Sequence, residues 1–150
     1  MSQLRDSQLH GSRVVELSFP ANSRYLVLAR LSLTGIAPVA RLDEDALADL
    51  KLAVTEACAN AVRHAYPDDV DGLVRLRVSL EPETLTVEVA DDGRGLDAGA
   101  LPGWDATRMR EGGMGFSIMR AVVDELEIDS TASTGTVVRL VKRLSASAPE

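Results

Sequence analysis

The feature that most constrains the fold is a change of hydrophobic period halfway along the chain. Residues 73–80 and residues 84–90 each alternate between apolar and polar side chains. Because successive side chains of a strand point to opposite faces, each run predicts a strand with one buried face and one wet face. Glu81, Pro82 and Glu83 lie between the runs and indicate a turn, so the pair predicts a β-hairpin.

The N-terminal half has the spacing of helices instead. Apolar residues at helical spacing predict a first helix from Asn22 to Leu33, which stops before Gly35 and Pro38. A second helix is expected to begin near Asp43, a favourable N-cap residue. It must end before Pro67, because a proline disfavours the helical conformation of the residue ahead of it.

Shorter segments complete the expected architecture. We predict strands at residues 13–19, 127–131 and 136–144, and a third helix over residues 115–126. The order of elements predicts an α+β fold, a single-domain two-layer sandwich whose mixed, mainly antiparallel sheet carries its helices on one face. The expected domain covers residues 13–144, with flexible tails at 1–12 and 145–150, and 150 residues is the length of one ordinary domain.

Charge and composition exclude several classes of protein. The formal net charge is −7, which disfavours nucleic acid or an anionic membrane as partner, since both are bound through basic surfaces. The single cysteine, Cys58, excludes an intramolecular disulfide and a cysteine-based zinc cluster. The N-terminus has no apolar signal region, and no stretch approaches the length of a membrane span. We therefore expect a cytoplasmic protein.

Three polar residues of the second helix are candidates for chemistry. Glu56 and Asn60 are four residues apart and lie on one helix face, and Arg63 follows one turn later. For Glu56 and Asn60 taken alone, an ordinary hydrogen-bonded pair at the solvent boundary is the simpler explanation. The functional hypothesis is a carboxylate base beside an amide oxygen that ligates Mg²⁺, with Arg63 adding positive charge near a phosphate.

A second candidate motif follows the apolar end of the hairpin. Asp91-Asp92-Gly93-Arg94-Gly95 is good turn chemistry, and a turn is one explanation. A carboxylate at a strand end could instead accept a hydrogen bond from an amino group such as that of adenine. The glycine-rich residues 91–114 have little periodicity, and so long a loop in a small domain is usually functional, often a lid.

Two further glycine motifs open later elements. Gly112-Gly113-Met114-Gly115-Phe116 leads into the third helix, where its glycines are either hinges or a phosphate site at a helix N-terminus. Gly135-Thr136 opens the last strand, as a turn or as a hydroxyl that reaches a phosphate.

Taken together, these motifs resemble the N, G1, G2 and G3 boxes of the GHKL ATP-binding superfamily, in that order over residues 56–136. The segments Pro20–Ile36 and Leu50–Tyr66 are similar to the anti-sigma-factor serine kinases, especially the general-stress, RsbW-like branch. The sporulation branch has arginine where Glu111 stands, whereas the full Asp91-x-Gly93-x-Gly95 is not typical of the stress branch. The resemblance implies a Bergerat-type ATP-binding fold.

The resemblance also implies an activity and partners. It implies a homodimeric kinase that binds ATP·Mg²⁺, sequesters a sigma factor and phosphorylates a serine or threonine of an anti-anti-sigma (STAS-domain) protein. Glu56 would be the general base, Asn60 the Mg²⁺ ligand and Asp91 the adenine reader. The nucleotide site would further include the following residues: Arg63, Gly93, Gly95, Gly113, Met114, Gly115, Phe116 and Thr136.

Other functions remain open at this stage. An ATP-binding sequestration module without kinase activity, an ATP-hydrolysing GHKL switch and a histidine-kinase fragment share the same boxes. Arg30, among the leucines of the first helix, is a candidate for contact with a protein partner, because arginine is enriched at binding hot spots. A solvated surface charge explains Arg30 equally well.

Overall fold

The sheet and helices lie in the parts of the chain that a computed structural model describes, namely residues 13–64, 72–93, 114–131 and 135–144. Within these residues one five-stranded sheet has the order β1-β2-β3-β5-β4. Its strands are β1 (Arg13–Pro20), β2 (Leu73–Leu80), β3 (Thr84–Asp91), β4 (Glu125–Thr131) and β5 (Gly135–Arg143). The α-helices are α1 (Leu26–Ala40), α2 (Glu44–His64) and α3 (Met114–Val122).

The strand directions confirm the predicted hairpin and correct one detail of the sheet. Strands β2 and β3 pair antiparallel, with Leu80 opposite Leu85 and Val74 opposite Asp91. The other three pairings described are also antiparallel, so the expected mixed sheet is wrong for these strands. The reason is the position of β5. It lies between β3 and β4, which run in the same direction, so these two strands are not neighbours.

The core lies between the sheet and one layer of helices, which confirms the two-layer α+β sandwich. Helix α2 packs across β2, β3 and β5 and is flanked by α1 and α3. Alternate side chains of the strands point into this layer. The largest fully buried side chains are Phe19, Leu33, Leu50, Leu76, Leu85, Met119 and Leu140.

The opposite face of the sheet carries charged side chains, and none of the described helices packs on it. One row of paired residues crosses all the described strands, and the charge of its side chains alternates in sign from strand to strand. The row is Glu16, Arg77, Glu88, Arg139 and Glu127. Ion pairs join Arg77 to Glu16 at 3.8 Å and Arg139 to Glu127 at 3.9 Å. Opposite charges on facing strands are favourable, and their exposure is consistent with a wet outer face.

Helix α1 is longer than the sequence predicts. It continues through Gly35 and Pro38 to Ala40, where Arg41 ends it in the left-handed conformation at φ 56°. Ala37 and Ala40 are buried, so burial outweighs the weak helix propensity of the two residues that were expected to stop the helix.

Helix α2 begins as predicted. The carboxylate of Asp43 accepts a hydrogen bond at 2.7 Å from the backbone N–H of Ala46, as an N-cap residue does. Glu44 and Asp45 lie in the first turn, where the helix dipole favours negative charge.

Helix α3 is shorter than predicted, because the residues expected at its C-terminal end pair with β5 in the sheet. The helix ends at Val122, and β4 begins at Glu125 instead of 127. The backbone N–H of Asp124 already donates to Val141, and Leu126 pairs with Leu140 of β5. Four residues expected to be helical are thus a turn and the start of a strand.

Several predictions lie outside the described residues. These are the tails at 1–12 and 145–150, the end of the second helix near Pro67 and the loop over residues 94–113. The domain bounds 13–144 therefore stay a prediction. No helix within the described residues is long and apolar enough to cross a membrane.

Candidate functional site

The direction of α2 along the sheet decides which of its side chains lie near Asp91. Lys142, near the end of β5, forms an ion pair with Asp49 at 3.6 Å, which fixes the start of α2 over that end of the sheet. Asn60 lies eleven residues further along the helix, a rise of about 16 Å. Thr136 lies six residues back along β5, about 20 Å from Lys142. The C-terminal half of α2 therefore lies toward the end of the sheet that holds Asp91 and Thr136.

Helix α3 is placed by the same lysine. Lys142 Nζ donates a hydrogen bond at 3.0 Å to the backbone carbonyl of Val122, the last residue of α3. Asp49 and Glu56 are two turns apart and lie on one side of α2, so Glu56 lies on the side of α2 that faces α3. Since α3 packs along α2 and ends near Lys142, it begins toward Asp91.

We call the two ends of the sandwich the Lys142 end and the Asp91 end. The Lys142 end holds Lys142, Asp49 and Val122. The Asp91 end holds the last residues of β3, the first residues of β5, the C-terminal half of α2 and the start of α3. Each described motif that the sequence predicts as functional lies at the Asp91 end.

Asp91 is a buried carboxylate on the inner face of the sheet. It is 5% exposed, and its Oδ1 accepts a hydrogen bond at 3.0 Å from the backbone N–H of Gly93. Burial raises the pKa of Asp91 above its usual value, opposed in part by backbone hydrogen bonds from Gly93 and Thr136. The Asp91 end thus presents an acceptor in a largely dry position.

The neighbouring acid has a different role. Asp92 points to the outer face, where the guanidinium of Arg75 on β2 binds both of its oxygens, with Nη2 at 2.9 Å from Oδ1. The hydrogen bond from Arg75 lowers the pKa of Asp92. This bidentate pair anchors the residue next to Asp91 on the far side of the sheet.

Gly135 is required by close packing against Asp91. Its φ is +88°, and a Cβ built there would collide with the backbone carbonyl oxygen of Asp91. Glycine alone adopts this conformation without strain and leaves room for β3. The first residue of β5 thus allows the backbones of β3 and β5 to approach closely beside the carboxylate.

Thr136 lies directly opposite Asp91 in the register of β3 and β5. It is 8% exposed, and its hydroxyl hydrogen-bonds that of Ser130 on β4 at 2.9 Å. This position puts the Thr136 hydroxyl beside the predicted base-reading carboxylate. The sequence offered no signal for Ser130, because its contact with Thr136 depends on the register of β4 and β5.

The three candidate residues of α2, Glu56, Asn60 and Arg63, form one described hydrogen bond among themselves. Arg63 Nη2 donates a hydrogen bond to Asn60 Oδ1 at 2.7 Å. Glu56 and Asn60 are both half-buried. The hydrogen bond described here thus joins Asn60 to Arg63, and not to Glu56 as in the simpler explanation of the pair. Nearby Cys58 is buried, and burial raises the pKa of its thiol to about 12, so it stays protonated.

The glycine motif before α3 is described only in part. Gly95 and Gly113 lie outside the described residues, and for Met114 and Gly115 only the helical backbone is described. Phe116 is 6% exposed and packs in the hydrophobic core. Arg30 is exposed on α1, away from these motifs in sequence and on another helix.

The described residues contain no group of three or more histidine, cysteine, aspartate or glutamate side chains that could hold a metal ion. The candidate metal-ligating side-chain oxygens at the Asp91 end belong to one amide, that of Asn60, and to carboxylates. Mg²⁺ keeps several waters and is commonly held by one or two protein oxygens plus substrate phosphates. Asn60 Oδ1 therefore fits a cation that arrives with a nucleotide, provided that Arg63 leaves it.

Comparison with known proteins identifies the family of the chain. Residues 19–142 match the family described as the histidine kinase-like ATPase domain. The chain is 34% identical over 139 residues to the serine-protein kinase RsbW of Bacillus subtilis (strain 168), covering 87% of this chain and 86% of that protein. It is 36% identical over 137 residues to the anti-sigma F factor of Caldanaerobacter subterraneus subsp. tengcongensis, covering 87% and 94%.

Solved structures share the fold. The RsbU and RsbW domains of a Mycobacterium tuberculosis protein match with a TM-score of 0.67 at 24% identity, over 91% of this chain and 33% of that one. The histidine kinase domain of a blue-light activated kinase from Erythrobacter litoralis matches with a TM-score of 0.57 at 27% identity, over 84% and 62%.

The chain therefore belongs to the histidine kinase-like ATPase family. Within that family it belongs to the group that contains the RsbW serine-protein kinases and the anti-sigma F factors. The resemblance and the α+β fold class expected from the sequence are confirmed, with an antiparallel sheet in the described strands.

Proposed function

We propose that this chain is an ATP-dependent protein-serine/threonine kinase that also acts as an anti-sigma factor. The observation that carries the proposal is that a buried carboxylate, a buried hydroxyl and the Glu56–Asn60 face of α2 lie toward the same end of the sandwich. The names of the relatives, a serine-protein kinase and an anti-sigma factor, supply the class of reaction and of partner.

In this proposal Asp91 recognises the adenine base. A carboxylate only accepts hydrogen bonds, so it suits the exocyclic amino group of adenine and repels a carbonyl at the same position. The buried position strengthens such a bond, because water does not compete for the acceptor. The backbone N–H of Gly93 donates to Asp91 Oδ1, which holds Gly93 itself close to the carboxylate.

The phosphates would lie along α2 toward the start of α3. Asn60 would supply the protein oxygen to Mg²⁺, which when bound neutralises phosphate charge. The N-terminus of α3 offers backbone N–H groups that suit an anion, with Gly95, Gly113, Met114, Gly115 and Phe116 as the proposed surroundings. Arg63 would turn from Asn60 toward a phosphate.

Glu56 would act as the general base of phosphoryl transfer. The hydroxyl oxygen of the acceptor serine or threonine attacks the γ-phosphorus, the bond from that phosphorus to the bridging oxygen of ADP breaks, and the hydroxyl proton passes to Glu56. Such reactions need mainly positioning and charge neutralisation, to which a positioned base adds a further factor.

The proposed partners are three. They are a sigma factor that the chain holds inactive, an anti-anti-sigma (STAS-domain) protein that accepts the phosphate, and a second copy of this chain in a homodimer. Arg30 is proposed to face a protein partner, because it is exposed on α1, a helix that carries none of the nucleotide motifs, and arginine is enriched at binding hot spots.

The test separates chemistry from binding. Glu56→Gln keeps the shape of the side chain and removes the base, so ATP·Mg²⁺ affinity should stay near normal while phosphate transfer falls roughly 10²–10⁴-fold. Asn60→Ala should instead weaken the Mg²⁺-dependent binding of ATP. Both are measured with purified acceptor protein, by labelled phosphate transfer and by calorimetric titration.

Glu44→Gln is the matched control, since it makes the same change in the first turn of α2, toward the Lys142 end. It should leave both transfer and affinity unchanged. Sigma-factor binding should survive Glu56→Gln, because sequestration needs no proton transfer. Full phosphate transfer by Glu56→Gln would sink the mechanism and favour a pure binding module.

A further inference from the structure

A pair of hydroxyl groups interrupts the apolar inner face of the sheet at the Asp91 end. In the strand register Asp91 lies opposite Thr136, and Thr136 lies opposite Ser130. The Ser130 and Thr136 oxygens are 2.9 Å apart, Thr136 is buried, and Ser130 is half-buried. The three polar residues thus form one row across three neighbouring strands.

The direction of the hydroxyl–hydroxyl bond decides what Thr136 offers to a ligand. Each hydroxyl has a single proton and can also accept. If Ser130 donates to Thr136, the Thr136 proton is not used between the two hydroxyls and is available to another acceptor, such as a ligand. Facing side chains on paired strands are about 5 Å apart, so Asp91 and Thr136 can bind adjacent atoms of one ligand.

An acceptor beside a donor matches one edge of a 6-aminopurine. The amino group of that edge donates to Asp91, and the adjacent ring nitrogen accepts from Thr136. A 6-oxopurine presents the reverse pattern, an accepting carbonyl and a donating ring N–H. A site with fixed donors and acceptors discriminates against the reversed edge, because buried polar groups are then left without partners.

We propose that Ser130 is a positioning residue that directs the Thr136 hydroxyl toward the base and thereby contributes to the preference for 6-aminopurine nucleotides. This inference rests on the proposed nucleotide site. It adds to that site a residue of β4, a strand that carries none of the predicted motifs. Ser130 acts through Thr136 and need not touch the nucleotide.

The experiment compares ATP with inosine triphosphate, whose base has a carbonyl in place of the amino group and a ring N–H in place of the ring acceptor. Calorimetric titration gives both dissociation constants for the wild type and for Ser130→Ala. We expect Ser130→Ala to weaken ATP binding by about three- to tenfold, the share of one neutral hydrogen bond, and to leave inosine triphosphate unchanged. The ratio of the two affinities should fall by the same factor.

Ser18→Ala is the matched control, because Ser18 lies on the outer face of β1, opposite Arg75. It should leave the ratio unchanged, whereas Ser130→Thr should restore it by returning a hydroxyl. Should Ser130→Ala fold poorly, Ser130→Val removes the same hydroxyl with a residue suited to a strand.

The outcomes separate this inference from the function on which it rests. A wild-type ratio in Ser130→Ala, with ATP still bound, overturns the role of Ser130 and leaves the nucleotide site standing. An equal loss of affinity for both nucleotides also overturns it, because a purely structural defect would act on both. Failure of the wild type to bind ATP overturns both proposals.

Discussion

The two ends of the sandwich differ in how their polar groups are paired. At the Lys142 end, partly or fully exposed groups have protein partners: Lys142 forms an ion pair with Asp49 and donates to the Val122 carbonyl, and the backbone N–H of Arg143 donates to the Asp124 carboxylate at 2.6 Å. At the Asp91 end the described partners of the buried carboxylate are backbone N–H groups, and its pKa is raised by burial.

This difference separates stability from function along the molecule. The Lys142 end joins α2, α3 and β5 and so holds the helices on the sheet. The Asp91 end retains a costly buried acid beside Gly135, whose conformation other residues rarely adopt. Local choices that lower stability are expected where a protein binds or reacts, and they must be supported by stabilising contacts elsewhere.

The largest effect expected is on the backbone of the Asp91 end. Gly135→Ala introduces a Cβ against the carbonyl of Asp91 at a positive φ, so we expect a loss of roughly 2–4 kcal/mol in the free energy of unfolding. Urea unfolding measures it. The matched control is Gly35→Ala in α1, where a Cβ would meet nothing within 4 Å. That change should stabilise by about 0.5–1 kcal/mol, and equal effects of the two would contradict the role of Gly135.

The next effect is on nucleotide affinity. Asp91→Asn turns a pure acceptor into a group that also donates, and a hydrogen bond to a charged group is worth about 1.5–3 kcal/mol. ATP affinity should therefore fall about tenfold or more in a calorimetric titration. Asp49→Asn makes the same change at the Lys142 end and should leave ATP affinity intact. An unchanged affinity in Asp91→Asn would remove Asp91 from the site.

The pH dependence of stability sharpens the same contrast. Because the pKa of Asp91 is raised in the folded protein, the folded state binds its proton more tightly than the unfolded state does. The contribution of Asp91 to stability is therefore present below the unfolded pKa and is lost as pH rises through the folded pKa. Urea unfolding of wild type and Asp91→Asn between about pH 3 and pH 7 should show the wild type losing ground to the variant with rising pH. A gap that is independent of pH would contradict the raised pKa.

A smaller effect is expected at the Lys142 end. Lys142→Met keeps most of the side chain's bulk and removes the ion pair to Asp49 and the hydrogen bond to Val122. The group is partly exposed, so we expect a loss of about 1 kcal/mol in unfolding free energy. ATP affinity should change by less than about twofold, since this end is distant from Asp91. A larger loss of affinity than of stability would show that the two ends are not separate.

The sequence predicted the class of fold and most of the elements, because alternation in β2 and β3 and helical spacing in α2 are strong local signals. It misjudged the end of α1, where the burial of Ala37 and Ala40 outweighs Gly35 and Pro38. It also missed the early start of β4. That boundary depends on pairing with β5, a contact that a local pattern does not contain.

The sequence predicted the site as separate motifs, and their relative positions became known only from the strand order and register of the sheet. Glu56, Asn60 and Asp91 were candidates from spacing alone, and their roles stay predictions. The contact of Thr136 with Ser130 and the bidentate pair of Arg75 with Asp92 come from strand register. The sequence pattern of a strand does not show which residue of the neighbouring strand lies opposite, so these contacts could not be predicted from it.

The most direct test of the central claim, that the Asp91 end is the nucleotide site, is hydrogen exchange of individual backbone amides with and without ATP·Mg²⁺. Bound ligand slows exchange where it rests and where it stabilises local structure. We predict slower exchange at Gly93 and Thr136 and along the C-terminal half of α2, with Asp124 and Arg143 unchanged. Slower exchange confined to Asp124 and Arg143 would place the nucleotide at the Lys142 end and contradict the claim.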